Sequence, residues 1–250
     1  MHMRTKKWAL PELRECSWYT DAPAQWRGQW RERFGREAPL YVELGCGKGI
    51  ATANMAKANP EINYLALDIS SDILGVARRV AVAAYDPQPV NNLILVKQEI
   101  EQISEMLAPQ DQVQRLYIRF CNPWSQKPRQ YKHRLTHPRQ LVQYREFLAP
   151  GGEIWFKTDD LPLFEDSLKY FDVCGFEKVY ETRDLTNSGF TPNYISEHER
   201  MFIAQGLPIY FAIVRKKEGA LSLDPVAWGR EEAHAAAVPT LPKKHKEKEE

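Results

Sequence analysis

The sequence predicts an α/β fold in which a mostly parallel sheet carries helices on both faces. Short apolar runs recur along the chain and alternate with segments of helical composition. A glycine-rich turn follows the first of these runs directly, as it does at a strand-to-helix junction. With 250 residues, of which 43% are hydrophobic, the chain is long enough to bury one full core.

The elements follow from the same alternation. The segments predicted to form strands are 40–43, 64–69, 92–96, 115–120, 153–158, part of 176–182, and 208–214. Those predicted to form helices are 51–59, 72–84, 139–148 and 160–171, the third closed by Pro150-Gly151-Gly152. This alternation of strands and helices is typical of crossover connections between parallel strands.

Two terminal regions fall outside this pattern. Residues 1–36 hold few strand signals and are predicted to form a basic, aromatic arm or helix packed outside the sheet. Residues 37–217 then form the main domain. Residues 218–250 turn alanine-rich and then highly charged, which predicts a disordered tail.

The stretch from Leu40 to Gly49 reads L-Y-V-E-L-G-C-G-K-G and points to a cofactor. Gly45 and Gly47 follow a buried strand at the start of a helix, where a nucleotide-like ligand lies against the backbone. Glu43 precedes the first glycine by two residues, an unfavourable place for a pyrophosphate. A carboxylate there suits the sulfonium and amino groups of S-adenosylmethionine.

A second acid supports this interpretation. Asp68 ends the next predicted strand, 25 residues after Glu43, and closes a strand–turn–helix–strand unit. A carboxylate in that position accepts hydrogen bonds from the two ribose hydroxyls of an adenosine. The glycines alone are also consistent with an ordinary surface turn, but together with both acids they favour a methyl-donor site.

Composition excludes several other classes. The four cysteines are scattered, without C-x-x-C pairs or histidine partners at ligand spacing, which predicts reduced thiols in a cytoplasmic protein and no metal site. The chain contains no run of 18 apolar residues, so we expect neither secretion nor membrane insertion. The sequence leaves open whether the protein is a monomer or a homodimer.

The net charge of +1 hides a basic block. Residues 126–145 contain six Lys or Arg and no acid. A charge run alone is most often a solvated helix face. Here it follows directly on a candidate active-site turn, and the N-terminal region mixes further basic residues with tryptophans, which favours RNA as the partner.

That turn is Asn122-Pro123-Trp124, at the end of the fourth predicted strand. Ligands of open α/β sheets bind at the carboxyl ends of strands, so Asn122 is expected beside the reactive methyl group. An amide, a rigid turn and a stacking surface together resemble the N-P-P-aromatic turn of amino-group methyltransferases. Without the cofactor motif, a simple proline turn with a packed tryptophan would be the better interpretation.

Taken together, these segments resemble the bacterial tRNA (guanine-N7)-methyltransferases over most of the chain, to about residue 214. The segments that carry the resemblance are M-x-M-R-x-K-x-W at the start, V-E-L-G-C-G-K-G, Asn122-Pro123-Trp124 with the basic residues after it, Arg134-Leu135-Thr136, Phe156-Lys157-Thr158-Asp159 and Ser196-Glu197-His198-Glu199. The resemblance implies a class I (Rossmann-like) methyltransferase with a seven-stranded sheet whose last strand is antiparallel. It also implies methyl transfer from S-adenosylmethionine to N7 of guanine 46 in the variable loop of tRNA.

The resemblance assigns roles position by position. Expected at the cofactor are Glu43, Gly45, Gly47, Asp68, Glu99 and Asn122. Expected at the guanine or the tRNA are Gln126, Lys127, Arg129, Lys132, Arg134, Asp159, Ser196, Glu197, His198 and Glu199. Asn122 and Asp159 are the candidate catalytic residues.

This chain departs from the family pattern at three points. Asn122 stands where the family usually has Asp, Gln126 stands where it has Lys, and His198 replaces a tyrosine. Asn122 and Gln126 favour one alternative function, a non-catalytic tRNA-binding paralogue that keeps the fold. The Asn-Pro-Trp turn favours another, a methyltransferase that acts on amino groups.

Overall fold

The strands of the computed structural model, which describes residues 5–221 and 223–230, form one sheet. They are β1 (Tyr19–Thr20), β2 (Leu40–Leu44), β3 (Asn63–Asp68), β4 (Leu93–Lys97), β5 (Val113–Arg119), β6 (Leu148–Thr158), β7 (Phe176–Thr182) and β8 (Tyr210–Lys216). Their order across the sheet is β1-β4-β3-β2-β5-β6-β8-β7. Strand β8 is antiparallel to both neighbours, and the pairs from β1 to β6 are parallel.

The helices lie in the connections. They are α1 (Ala9–Arg14), α2 (Trp30–Phe34), α3 (Ile50–Ala58), α4 (Ser71–Tyr85), α5 (Pro138–Phe147), α6 (Leu161–Val173) and α7 (Glu197–Ala204). Short 3₁₀ helices cover Pro23–Trp26, Ile100–Glu105, Pro109–Asp111 and Pro128–His133. Among the described residues, no helix is both long and apolar enough to cross a bilayer.

The predicted fold class is confirmed, and the predicted strands and helices are all present with shifted bounds. Strand β6 begins at Leu148, well before the predicted residue 153, because the Pro150-Gly151-Gly152 segment continues the strand through an irregularity in its pairing with β5. Gly151 has a φ of 67°, which accommodates this bend. The core strands are apolar on both faces: the successive residues Leu65 and Ala66 point to opposite faces of the sheet, and both are completely buried.

The N-terminal region contributes more to the fold than its sequence indicated. Strand β1 extends the sheet to eight strands, a pairing with β4 that a two-residue strand does not reveal in the sequence. Trp30 is completely buried, and its indole N–H donates to the Met106 carbonyl at 2.8 Å. Helix α1 crosses α4 so closely that a Cβ on Gly75 would lie 2.5 Å from that of Ala9. These aromatic and apolar residues therefore pack against the sheet and its helices.

The beginning of the predicted tail is also ordered, which corrects that expectation for residues 223–230. Residues 225–230 form a helical turn that we call the C-terminal segment. Trp228 packs edge-on against Tyr170 of α6, with ring centroids 6.0 Å apart. The segment reads P-V-A-W-G-R, so it is mostly apolar and can dock although the predicted tail as a whole is highly charged. Residues 231–250 of the predicted tail lie outside the described part of the chain.

Candidate active site

The glycine loop forms an open backbone cradle at the carboxyl end of β2. Gly45 and Gly47 have φ angles of 74° and 55°, a region that favours glycine. A Cβ added at either position would meet no atom within 4 Å. Gly49 is different, since a Cβ there would lie 2.9 Å from that of Ala77 in α4. The first two glycines therefore face open space, while the third lets α3 approach α4.

Asp68, the last residue of β3, holds this loop in place. Its Oδ2 accepts the Gly47 N–H at 3.2 Å, and its Oδ1 accepts the Ser70 N–H at 3.0 Å. Burial raises the pKa of the Asp68 carboxyl, and these backbone donors act against that rise. Glu99 is exposed just beyond the end of the neighbouring strand β4. The two predicted acids therefore follow adjacent parallel strands, on the same edge as the cradle.

Glu43 is buried and already has a partner. Its side chain is 5% exposed, and its two oxygens lie 2.8 Å from Nε and Nη2 of Arg119 on the adjacent strand β5. The sequence predicted a carboxylate free to face the cationic groups of the cofactor. In the structure the Arg119 guanidinium neutralises that charge directly beneath the glycine loop.

A second buried pair lies beside the first. The Lys157 ammonium is 3.2 Å from the carboxylate of Glu199, which is 1% exposed. Asn193 donates to the same carboxylate at 2.7 Å. Burial lowers the pKa of Lys157 to about 8, and the charge of Glu199 opposes that fall. We call Glu43, Arg119, Lys157 and Glu199 the buried charge cluster, and its two acids balance its two cations.

The Asn122 turn is exposed and conformationally unusual. Asn122 Oδ1 accepts the Trp124 N–H at 3.0 Å. Phe120 and Trp124 have φ angles of 51° and 48°, which side chains larger than glycine rarely adopt. The Trp124 ring packs on His133, with centroids 5.3 Å apart. Backbone strain of this kind persists where surrounding contacts hold it, and it is frequent at functional sites.

Asp159 follows β6 at the same edge of the sheet. Burial raises the pKa of its carboxyl, the charge of Asp160 raises it further, and the nearby His198 lowers it. His198 belongs to the start of α7, where the Ser196 hydroxyl accepts the Glu199 N–H at 3.1 Å. Glu197 of the same turn forms an ion pair with Lys48 of the glycine loop at 2.7 Å. The start of α7 therefore lies between Asp159 and the cradle.

The predicted RNA-contacting residues divide into exposed and buried sets. Gln126, Lys127, Arg129 and Lys132 are exposed. Arg134 is 1% exposed, and its guanidinium binds the Pro123 carbonyl and Asp166, both at 2.8 Å. The expectation that Arg134 contacts phosphate is corrected accordingly, because its donors hold the Asn122 turn against α6. Glu199 is likewise buried, so its expected contact with guanine is replaced here by Lys157 and Asn193.

Three residues of this region were missed by the sequence reasoning: Arg119, Lys157 and Asn193. The first two carried a signal, because each is a cation directly after apolar residues near the carboxyl end of a predicted strand, close before a candidate site residue. Buried cations require partners, so each such residue predicts an acid nearby. Nothing in the sequence identified Asn193, which lies in the connection from β7 to β8.

The site fits S-adenosylmethionine. The open backbone at Gly45 and Gly47 accommodates a ligand at close approach, and Glu99 presents an exposed carboxylate beside it. Among the described residues there is no group of three or more His, Cys, Asp or Glu that could hold a metal ion. The polar groups at this edge of the sheet are backbone groups, carboxylates and the Asn122 amide, which suit an adenosine with a charged amino-acid tail.

The sheet order, the antiparallel β8 and the glycine cradle define a class I methyltransferase that uses S-adenosylmethionine. Known folds agree: an antibiotic-related methyltransferase matches with a TM-score of 0.55, 14% identity, and coverage of 76% of this chain and 93% of that one. A 16S rRNA methyltransferase, KamB, matches with a TM-score of 0.51 and 14% identity over 86% of this chain and 96% of that one.

Sequence comparison defines the family. Residues 37–212 match the model of a family described as "Putative methyltransferase". The tRNA (guanine-N(7)-)-methyltransferase of Clostridium beijerinckii is 50% identical over 86% of this chain and 99% of its own length. That of Acetivibrio thermocellus is 48% identical over 87% of this chain and all of its own length. The chain therefore belongs to the tRNA (guanine-N7)-methyltransferase family, and the predicted resemblance is confirmed.

Proposed function

We propose that this protein methylates N7 of a guanine in tRNA, at position 46 of the variable loop, with S-adenosylmethionine as the donor. One observation supports it above all: the cradle, Asp68, Glu99, the Asn122 turn and Asp159 all follow parallel strands at one edge of the sheet, beside exposed cations. The family's printed activity gives this arrangement its substrate. Because the substrate is tRNA, we place the enzyme in the cytoplasm.

The chemistry demands little beyond alignment. Bound S-adenosylmethionine supplies an electrophilic methyl group on a sulfonium. Guanine N7 has a free lone pair and no hydrogen, so no general base is needed. The chain's own task is to hold N7 in line with the transferred methyl group, which is catalysis by positioning. A turn fixed by Arg134 and by the Trp124 N–H suits that task.

Asp159 can add electrostatic stabilisation. Methylation at N7 places positive charge on the guanine and makes its N1 and N2 hydrogens more acidic. A carboxylate that accepts those hydrogens binds the charged ring more tightly than the neutral one. Asp159 is the only predicted catalytic residue with a charge, because Asn122 replaces the usual aspartate. We therefore assign Asp159 to the guanine edge and Asn122 to the alignment of the reacting atoms.

The two alternatives have weaker support. The paralogue hypothesis depends on Asn122 and Gln126, but the amide of Asn122 keeps the shape of the carboxylate it replaces and one of its acceptor oxygens. Lys127 is exposed beside Gln126 and supplies a cation to the same segment. The amino-group hypothesis gives no reason for the exposed basic residues. N7 methylation of tRNA is compatible with an amide at Asn122, with a cation at Lys127 beside Gln126, and with the exposed basic residues.

The test is methyl transfer from labelled S-adenosylmethionine to an unmodified tRNA transcript. We expect labelled 7-methylguanine, identified after nuclease digestion, and none from a transcript with adenine at position 46. Asp159→Asn is expected to lower kcat by tenfold or more while tRNA affinity changes little. Label on protein or on another base, or no label at all with normal tRNA binding, would reject the proposal in favour of the alternatives.

A further inference from the structure

A second concave site lies beyond the methyl-transfer edge, between the Pro128–His133 helix, the start of α5 and the C-terminal segment. We call it the basic pocket; its volume is about 400 Å³, within the usual range for ligand sites. The polar side chains that line it are Arg129, Lys132, His137, Arg139 and Arg230. The rest of its lining comes from Pro128, Val226 and Gly229, so among the described residues it has no carboxylate in its wall.

His137 gives the pocket a fixed neutral donor. It is 3% exposed, and its Nδ1 accepts the Arg139 N–H at 3.1 Å, which caps the start of α5. A neutral imidazole whose Nδ1 accepts carries its hydrogen on Nε2. Burial, followed by the charges of Arg134, Arg139 and His133, lowers the pKa of His137 to about 4, so the ring is neutral at physiological pH. Nε2 has no hydrogen-bond partner among the described residues, and the ring forms part of the pocket wall.

The C-terminal segment packs against the His137 ring. A Cβ on Gly229 would lie 3.4 Å from His137 Nε2 and 3.1 Å from Pro138 Cγ, so the backbone approaches closely. Tyr170 packs against His137 on one side and Trp228 on the other, with centroids 5.7 and 6.0 Å apart. These contacts place Arg230 opposite the cations of the basic block. The pocket is therefore assembled from distant parts of the chain rather than from one charged helix face.

Few ion pairs compensate the charge of the pocket within the part of the chain that the structure describes. Within the described residues, Arg129 and Lys132 form no ion pair. Arg139 has one distant acid, with Nη1 3.7 Å from Glu101. The first backbone N–H groups of α5 offer no donor here, since Pro138 has none and the Arg139 N–H donates to His137 Nδ1, so the donors of the pocket are its side chains. Among the described residues, several cationic side chains around a wall that holds no carboxylate suit a phosphate group.

We propose that the basic pocket binds a backbone phosphate of the tRNA, an inference that rests on the proposed function. The segment 126–132 connects the Asn122 turn to the pocket along the surface, and its cations Lys127, Arg129 and Lys132 are exposed. A nucleotide held at Asn122 can therefore extend its backbone along cations into the pocket. Phosphate contacts of this kind fix the orientation of the RNA, whereas the base at the active site supplies specificity.

The experiment measures tRNA affinity across a salt series for the full-length wild type, Arg139→Gln and Arg230→Gln. Each variant is expected to bind severalfold more weakly and to flatten the log–log salt slope by about 0.7–0.9 per lost phosphate contact. The control is Lys178→Gln, an equal charge change on the edge strand β7, and it should leave both affinity and slope unchanged. Pocket variants whose slopes equal that of the wild type would overturn the proposal.

A second measurement observes the pocket directly. We expect tRNA to shift the ¹⁵N resonance of His137 Nε2, and Arg230→Gln to weaken that response. If inorganic phosphate shifts the resonance but tRNA does not, the pocket binds a small anion and the tRNA assignment fails. Failure of the proposed function would give a different result. If the wild type does not methylate tRNA, but the pocket variants still have flatter salt slopes than the wild type, the pocket proposal stands and the proposed methylation is rejected.

Discussion

The buried pair of Glu43 and Arg119 allows a quantitative test of how the candidate site is built. Glu43→Gln keeps the shape of the side chain but removes its charge and one of its acceptor positions. Both side chains are 5% exposed, so the Arg119 guanidinium remains buried without a counter-charge. Removing one partner of such a pair costs about 3–5 kcal/mol, of which a retained amide acceptor recovers about 1 kcal/mol. We therefore expect the free energy of unfolding to fall by about 2–4 kcal/mol.

The loss should also depend on pH because Lys157 belongs to the same cluster. The charge of Glu43 helps to keep Lys157 protonated, although burial lowers its pKa to about 8. Below that pKa, Glu43→Gln leaves two buried cations and one acid. Above it, Lys157 is neutral and the variant lacks only the partner of Arg119. The destabilisation is therefore expected to be larger below pH 8 than above it.

Chemical denaturation of the wild type and the variant on both sides of that pKa measures the effect. Glu197→Gln is the matched control, because its pair with Lys48 has side chains 50% and 42% exposed, and we expect a loss below about 1 kcal/mol. A double-mutant cycle with Arg119→Met should give a coupling energy of about 1–3 kcal/mol. A loss no larger than that of the control, or an additive cycle, would refute the reasoning.

Three further predictions concern the cofactor, pH and the turn. Asp68→Ala should weaken S-adenosylmethionine binding ten- to a hundredfold by calorimetry, since about 1.5–3 kcal/mol of charge-assisted bonding is lost; equal affinities would remove Asp68 from the site. Because folding lowers the pKa of His137 to about 4, the unfolded chain binds a proton at this residue at a higher pH than the folded protein does. The free energy of unfolding should therefore fall by about 3 kcal/mol as pH drops from 6.5 to about 4. His137→Asn keeps an N-cap acceptor and should flatten that fall in acid denaturation; an unchanged profile contradicts the assignment. Asn122→Ala should lower kcat/KM about tenfold or more, while Asn122→Asp should keep the fold and bind the cofactor. Equal methylation rates for the wild type, Asn122→Ala and Asn122→Asp would show that Asn122 does not align the reacting atoms.

The elements of the site that depend on local sequence were predictable. The glycine loop, Asp68 and the Asn122 turn each follow an apolar run, and parallel strands bring such positions to one edge. The partner of Glu43 was not predictable in this way, because Arg119 lies 76 residues further along the chain and pairs only through the neighbouring strand. The same limit applies to Arg134, since its burial depends on Asp166 of α6. The sequence shows that a residue is charged, but only the tertiary contacts show whether an arginine is free to bind a phosphate or is paired with an acid of the same protein.

The buried charge cluster also explains how a site that works by alignment obtains its rigidity. Arg119 comes three residues before Asn122, and Lys157 two residues before Asp159, so each cation anchors a strand just below a candidate catalytic side chain. Their acids belong to other elements, since Glu43 precedes the cradle and Glu199 lies in α7. The two pairs therefore connect β2, which leads into the cradle, with β5, β6 and helix α7, which contains His198. Positioning catalysis loses rate with small displacements, so we expect the charges that hold the strand ends together to affect turnover as well as stability.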